Sequence, residues 1–334
     1  MNTAKTIKAP ERIEALDFTK GILVIFMVIY HSLNYHGVFP NRYIPFVAPA
    51  FIMLAGFIIT QIYFPKYGRD INGARIRLAV RAIKLLLIFT ILNLAGRMIW
   101  PLYHYGITFE LEDFFGNWID IYLIGTPRTA AFEVLLPISY TLILSILIPR
   151  FKSITPYFII ICAITIFSAS ILMEYYRSTV YTIPMISAGI IGMAIGLLPL
   201  PLINAFARSW IKIFSLFVLY GVCAFFCGYY YYTQIFSAII VLLIIYSTDV
   251  RINFKNLFQK QSVLLGQYSL LSYIIQIAYL KIIFTMLTKW RVDKPNIIIT
   301  ILIITIITYV TILILDYARP KYKYIDVLYK TIFA

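Results

Sequence analysis

The chain has 334 residues and a formal net charge of +15, yet 61% of it is hydrophobic and only 13% is charged. Soluble domains carry nearer ~25% charged residues, so a water-soluble fold is excluded on composition. The basic excess is spread between apolar runs rather than gathered on one polar domain, which argues against a nucleic-acid partner.

Ten apolar stretches read as transmembrane helices, at 17–35, 44–63, 79–101, 130–148, 155–173, 181–198, 210–228, 233–248, 262–287 and 296–316. Most approach the ~20 residues needed to cross ~30 Å of hydrocarbon, and the eighth is the shortest. Alternating apolar and polar strands, the sign of a barrel, are not seen. The expected fold class is therefore all-α: a polytopic membrane protein of about ten helices in one bundle. No polar linker divides the chain, so residues 1–334 read as a single domain. The segment 103–129 is too polar to span and reads as a loop with a surface-lying piece.

An even number of spans places both termini on one side, and that side collects most of the 29 Lys and Arg residues. Positively charged loops stay inside, so both termini are expected in the cytoplasm. The acidic loop with Glu110, Glu112, Asp113 and Asp120 then faces outward. Asp17 and Lys20 interrupt the first apolar run, so it does not read as a cleavable signal. No internal repeat stands out, which disfavours inverted-repeat transporter folds. Cys162, Cys223 and Cys227 fall in predicted spans and read as buried apolar thiols, so no metal is expected.

The first span carries Asp17, Lys20 and His31. An ionisable group in a bilayer costs at least ~2.5 kcal/mol, so each asks for a reason. Lys20 and His31 are about three helical turns apart, which puts them on one face with ~16 Å between them. They read as two ends of a ligand channel. His31 is either a structural residue at the outer end of its span or a general base toward a hydroxyl. His36 and His104 fall in outer loops.

Arg77, Arg81 and Lys84, with Arg75 beside them, follow i, i+4, i+7 spacing at the entrance to the third span. They signal orientation, or they form a cationic stripe for a phosphate-rich ligand from the cytoplasm. Glu133, in Phe132-Glu133-Val134-Leu135-Leu136-Pro137, is a lone carboxylate in an apolar run. It pairs structurally with Arg97 or Arg128, or it faces a functional cation or histidine. Ser269, Ser272 and Gln276 make a polar stripe at i, i+3, i+7, explained either by helix–helix hydrogen bonds or by contact with substrate.

Taken together, these residues resemble the membrane acyltransferases of acyltransferase family 3 and the related heparan-α-glucosaminide N-acetyltransferase-like proteins. Leu16-Asp17, Lys20-Gly21 and His31 match the family's opening, with lysine in place of arginine. The run Phe51 to Ile58 is similar to its Phe-rich Ser-Gly-Phe segment, with Ala55 for serine. Arg81-Ala-Ile-Lys84 is similar to its Arg-x-x-Arg motif, and Phe132-Glu133 with Pro137 to its Glu…Pro span. Gly266 to Gln276 resembles its late Gly…Ser…Tyr-Leu-x-His stretch, with Gln276 at the histidine.

The resemblance implies an acyl-CoA-dependent O- or N-acyltransferase of a bacterial cytoplasmic membrane. An acyl group, usually acetyl, would pass from cytoplasmic acyl-CoA to a hydroxyl or amine of an envelope glycan or lipid. Lys20, Arg77, Arg81 and Lys84 would hold the CoA phosphates. His31 would take the acceptor's proton or carry the acyl group, and Glu133 would orient the imidazole. Two other classes stay open: a transporter or flippase lining its path with the same buried charges, and a non-catalytic membrane scaffold.

Overall fold

Each of the ten apolar stretches contains a helix in a computed structural model. It describes residues 13–38, 44–67, 70–104, 114, 116–125, 132, 134–148, 154–176, 180–226, 230–251, 257–290 and 295–333, with backbone alone at 96–104, 223–226 and 288. The helices are α1 (Glu14–Tyr35), α2 (Val47–Lys66), α3 (Ile71–His104), α4 (Leu135–Leu147), α5 (Thr155–Tyr175), α6 (Thr182–Ile195) and α7 (Leu200–Ala207). They are followed by α8 (Trp210–Phe226), α9 (Tyr231–Arg251), α10 (Leu257–Gln267), α11 (Ser269–Lys289), α12 (Ile297–Lys321) and α13 (Lys323–Phe333).

Among the described residues, seven helices are long and apolar enough to cross a membrane: α1, α2, α3, α5, α9, α11 and α12. The pair α6 and α7 would make an eighth as a broken span, bent by 98°. Pro199 explains the break, because it has no N–H to continue α6 and disfavours a helical conformation before it, whereas Pro201 sits in the first turn of α7, where a proline is tolerated. At 13 residues α4 is too short to qualify alone, and α8 is also short at 17. Ten full-length spans are thus more than these helices supply. The stretch 233–248, which reads as the shortest, becomes a helix of 21 residues, because Tyr231 and Tyr232 extend it at one end and Asp249 to Arg251 at the other.

In the polar segment after α3, the described residues include a helical piece. Residues Ile119–Ile124 form a π-helical turn with Ile121 fully buried. Tyr122 anchors it: its hydroxyl lies 2.6 Å from Thr90 Oγ1 of α3, and its carbonyl accepts from Tyr140 of α4 at 2.7 Å.

Helix α1 is the hub, packed against α2, α9, α10, α11 and α12. The outer helices instead carry exposed apolar rows, including Ile76, Val80, Ile83 and Leu87 on α3 and Ile298, Leu302 and Ile306 on α12. Such large apolar surfaces are not left to water, so hydrocarbon around the bundle is the environment they fit.

Glycines allow the closest crossings. A Cβ on Gly266 of α10 would lie 1.7 Å from the Asp17 carbonyl oxygen, and one on Gly21 would lie 1.8 Å from that of Ser262. The α2–α6 crossing repeats the device, with a Cβ on Gly56 at 1.9 Å from the Gly189 carbonyl oxygen. Small residues let helices approach backbone to backbone where no hydrophobic effect drives them together.

Helices α1 and α12 run antiparallel. His36, just past α1, has its two ring nitrogens 2.8 and 2.9 Å from the carbonyl oxygens of Ser32 and Pro295, just before α12. At the other end Gly266 meets Asp17, and the neighbouring Tyr268 bonds Asp316 and Arg319 near the end of α12. The start of α1 and the end of α12 therefore share one end of the bundle.

Candidate functional site

His31 lies in the last third of α1, about one turn beyond Val28. Its Nε2 is shielded from solvent and makes no hydrogen bond among the described residues. The ring sits against Tyr30, edge-on at 5.4 Å, and Tyr273 of α11 at 6.2 Å between centroids. Tyr273 in turn meets Phe132 edge-on at 6.0 Å. Phe132 has a φ of +62°, a left-handed conformation that costs a side-chain-bearing residue energy and is most often kept where function requires it. Glu133 and Arg128 lie outside the described residues, as does the side chain of Arg97, so the expected pairing of Glu133 falls there too.

Three helices meet beside His31 through Val28 of α1, Leu280 of α11 and Ile304 of α12. One turn from each contact residue stands a buried polar side chain: Ser32, Gln276 and Thr308, none more than 1% exposed. Ser32 Oγ, Thr308 Oγ1 and both amide atoms of Gln276 lack hydrogen-bond partners among the described residues. Leaving such a group unsatisfied costs about 1–3 kcal/mol, so each of these atoms is open to a partner. Ser32 lies on the side of the contact layer toward Tyr35, and Gln276 and Thr308 lie on the side toward Asp17. Ser272, also buried, reaches only the Leu265 carbonyl at 3.5 Å, and Ser269 is half-buried at the start of α11. Of the predicted stripe, Ser272 and Gln276 are thus fully buried, and Gln276 is the one with no hydrogen-bond partner among the described residues.

Ser32 and Thr308 are functional candidates that the sequence reading missed. Thr300, Thr305 and Thr311 of α12 each donate to the carbonyl four residues back. Thr308 does not, and nothing in the sequence distinguishes it from the others.

The predicted cations gather toward the opposite end of the bundle. Lys20 donates to Asp17 Oδ1 at 2.9 Å, and Asp17 is only 4% exposed. Lys20 thus neutralises a buried carboxylate, a role its spacing with His31 does not suggest. Arg77 and Arg81 are exposed and donate to the hydroxyls of Tyr67 and Tyr63, respectively, with each guanidinium also near its partner's ring. A guanidinium has five N–H donors, so each arginine has donors beyond that bond. Lys84 reaches the Lys330 carbonyl of α13 at 3.3 Å, which places this stripe near the end shared by α1 and α12.

His36 is not a loose loop residue, since its ring joins the end of α1 to the chain entering α12. No group of three or more His, Cys, Asp or Glu residues is arranged to hold a metal among the described residues. Comparison with protein families, with curated proteins and with solved structures returned no match to this chain.

Proposed function

We propose that the protein is a membrane acyltransferase that moves an acyl group, usually acetyl, from acyl-CoA to a hydroxyl or amine of an envelope glycan or lipid. The observation that carries this reading is the unpartnered, shielded Nε2 of His31, next in the chain to unpartnered Ser32 and packed on Tyr273, less than one turn from unpartnered Gln276 on α11. A base held in that way has its lone pair available to an incoming acceptor rather than committed to the protein. His31 Nε2 takes the acceptor's proton as its oxygen or nitrogen bonds to the thioester carbon. The carbon–sulfur bond then breaks, and the sulfur receives the proton as the CoA thiol. Gln276 and Ser32 hold the acceptor through hydrogen bonds, and orienting the imidazole falls to Glu133.

In this reading the shared end of α1 and α12 is cytoplasmic, in a bacterial cell membrane, and the chain crosses ten times. The critical short helix is α8. Reporters fused after Ser209 and after Tyr230 should then lie on opposite sides of the membrane. The same side for both would remove α8 as a span and reverse the ends of the helices before it relative to those after it.

Arg77, Arg81 and Lys84 bind the CoA phosphates in this reading, supported by their shared face and the exposure of the two arginines. Purified protein should bind acetyl-CoA and turn it over in the presence of acceptor. Exchanging Arg81 and Lys84 together for glutamine should raise the Kd for CoA about tenfold or more, as loss of ~1.5–3 kcal/mol per charged hydrogen bond allows. Unchanged affinity would return these residues to orientation signalling. The bend between α6 and α7 favours a second reading, a transporter, because broken helices line transport paths. Solute uptake by proteoliposomes without any acetyl-CoA turnover would select it.

A further inference from the structure

A cavity of about 450 Å³ lies at the end of the bundle away from His31, between α1, α2, α6, α7 and α9. That is within the ~300–1,000 Å³ of small-molecule sites. Its walls are almost wholly aliphatic and aromatic, including Leu16, Met53, Phe57, Leu202, Phe206 and Leu243. Three lining residues carry polar side chains: Thr19, Tyr246 and Lys212. Thr19 donates to the Ala15 carbonyl and Tyr246 to Asn204 Oδ1, both at 2.7 Å. Lys212 makes no hydrogen bond among the described residues and stands over the Phe206 ring at 5.1 Å. The polar chemistry offered to a guest is thus one cation at the rim of an apolar chamber.

The surroundings of Lys212 extend this pattern. Arg251 stacks on Trp210, two residues before Lys212, with its guanidinium carbon 4.3 Å from the ring centroid. Its Nε donates to the Ala207 carbonyl at 2.7 Å, and its Nη1 and Nη2 have no hydrogen-bond partner among the described residues. Beside Lys212 on α8, Ile211, Phe214 and Phe217 are 80%, 69% and 62% exposed. These side chains belong against hydrocarbon, so the rim adjoins the surface that a bilayer covers.

We propose that this cavity takes an acyl chain of an anionic membrane phospholipid, with the phosphate at Lys212 in the positive field of Arg251. Apolar walls accept the chain, but a chain drawn from lipid gains little by that burial. Selectivity therefore comes from the charge at the rim, and a zwitterionic headgroup gains less there than an anionic one. The site does not depend on acyl transfer at His31.

The test uses purified full-length protein in nanodiscs containing a trace of phosphatidylglycerol with a diazirine at the chain terminus. Adducts after illumination are mapped by mass spectrometry. They should concentrate on Met53, Leu54 and Leu243, and the phosphatidylcholine analogue with the same chain should give severalfold fewer. Lys212→Gln, at an exposed position that folding tolerates, should bring phosphatidylglycerol down to the phosphatidylcholine level. Leu243→Trp, which fills the cavity, should remove the interior adducts. His31→Ala should label like the wild type, so that failure here and failure of acyl transfer are told apart. Adducts confined to Ile211 and Phe214, or equal labelling by the two lipids, would overturn the proposal.

Discussion

His31→Ala should lower acyl transfer by about 10²–10⁴-fold, the usual contribution of a positioned general base. Acetyl-CoA binding and the yield of folded protein should change little, because His31 Nε2 holds nothing among the described residues. His36→Ala should do the reverse. It removes contacts to the Ser32 and Pro295 carbonyls, so it should loosen the junction of α1 and α12 while leaving transfer per folded molecule nearly intact. Gln276→Leu separates packing from chemistry. If the amide is only structural, replacing an unsatisfied buried group by an apolar one should be neutral or stabilising, with activity kept. If it holds the acceptor, stability should hold or rise while KM increases. Initial rates with labelled acetyl-CoA and thermal melts on the same preparations give both readouts. Near-full transfer by His31→Ala would sink the assignment of the base.

The positions of these residues were legible in the sequence to different depths. His31 and Gln276 stand out because a strongly polar side chain within an apolar run is costly and therefore visible. Ser32 and Thr308 do not, because a Ser or Thr in such a helix can satisfy itself on the carbonyl one turn back. Only the packed bundle separates Thr308, which has no partner among the described residues, from Thr305 and Thr311, which back-bond. Lys20 has a partner that its eleven-residue spacing from His31 does not reveal: its i, i+3 spacing with Asp17 forms the ion pair. Hydropathy located the apolar stretches but not α7 or α13, nor the length of each helix: it cannot see the helical backbone continuing through Tyr231 or Arg251, or how sharply the chain turns from α6 into α7 at Pro199.

Gly266→Ala should be among the most destabilising single substitutions in the chain, although it adds one methyl group. The added carbon would stand 1.7 Å from the Asp17 carbonyl oxygen and 2.9 Å from the Gly21 nitrogen. Both obstacles are backbone, so no change of rotamer relieves the clash, and α1 and α10 must separate. Overpacking of this kind costs about 1–3 kcal/mol and sometimes more. The cost should exceed that range's middle here, because α1 also packs against α9, α11 and α12, and movement at Gly21 disturbs those contacts together. Gly221→Ala is the matched control: nothing lies within 4 Å of its Cβ position on α8. There alanine should stabilise the helix by about 0.5–1 kcal/mol, through the backbone freedom that glycine would lose on folding. The two variants should therefore move the melting temperature of the detergent-purified protein in opposite directions. A Gly266→Ala protein that melts with the wild type would mean that α1 and α10 do not cross at this distance. The placement of Asp17 and Lys20 beside that crossing would fail with it.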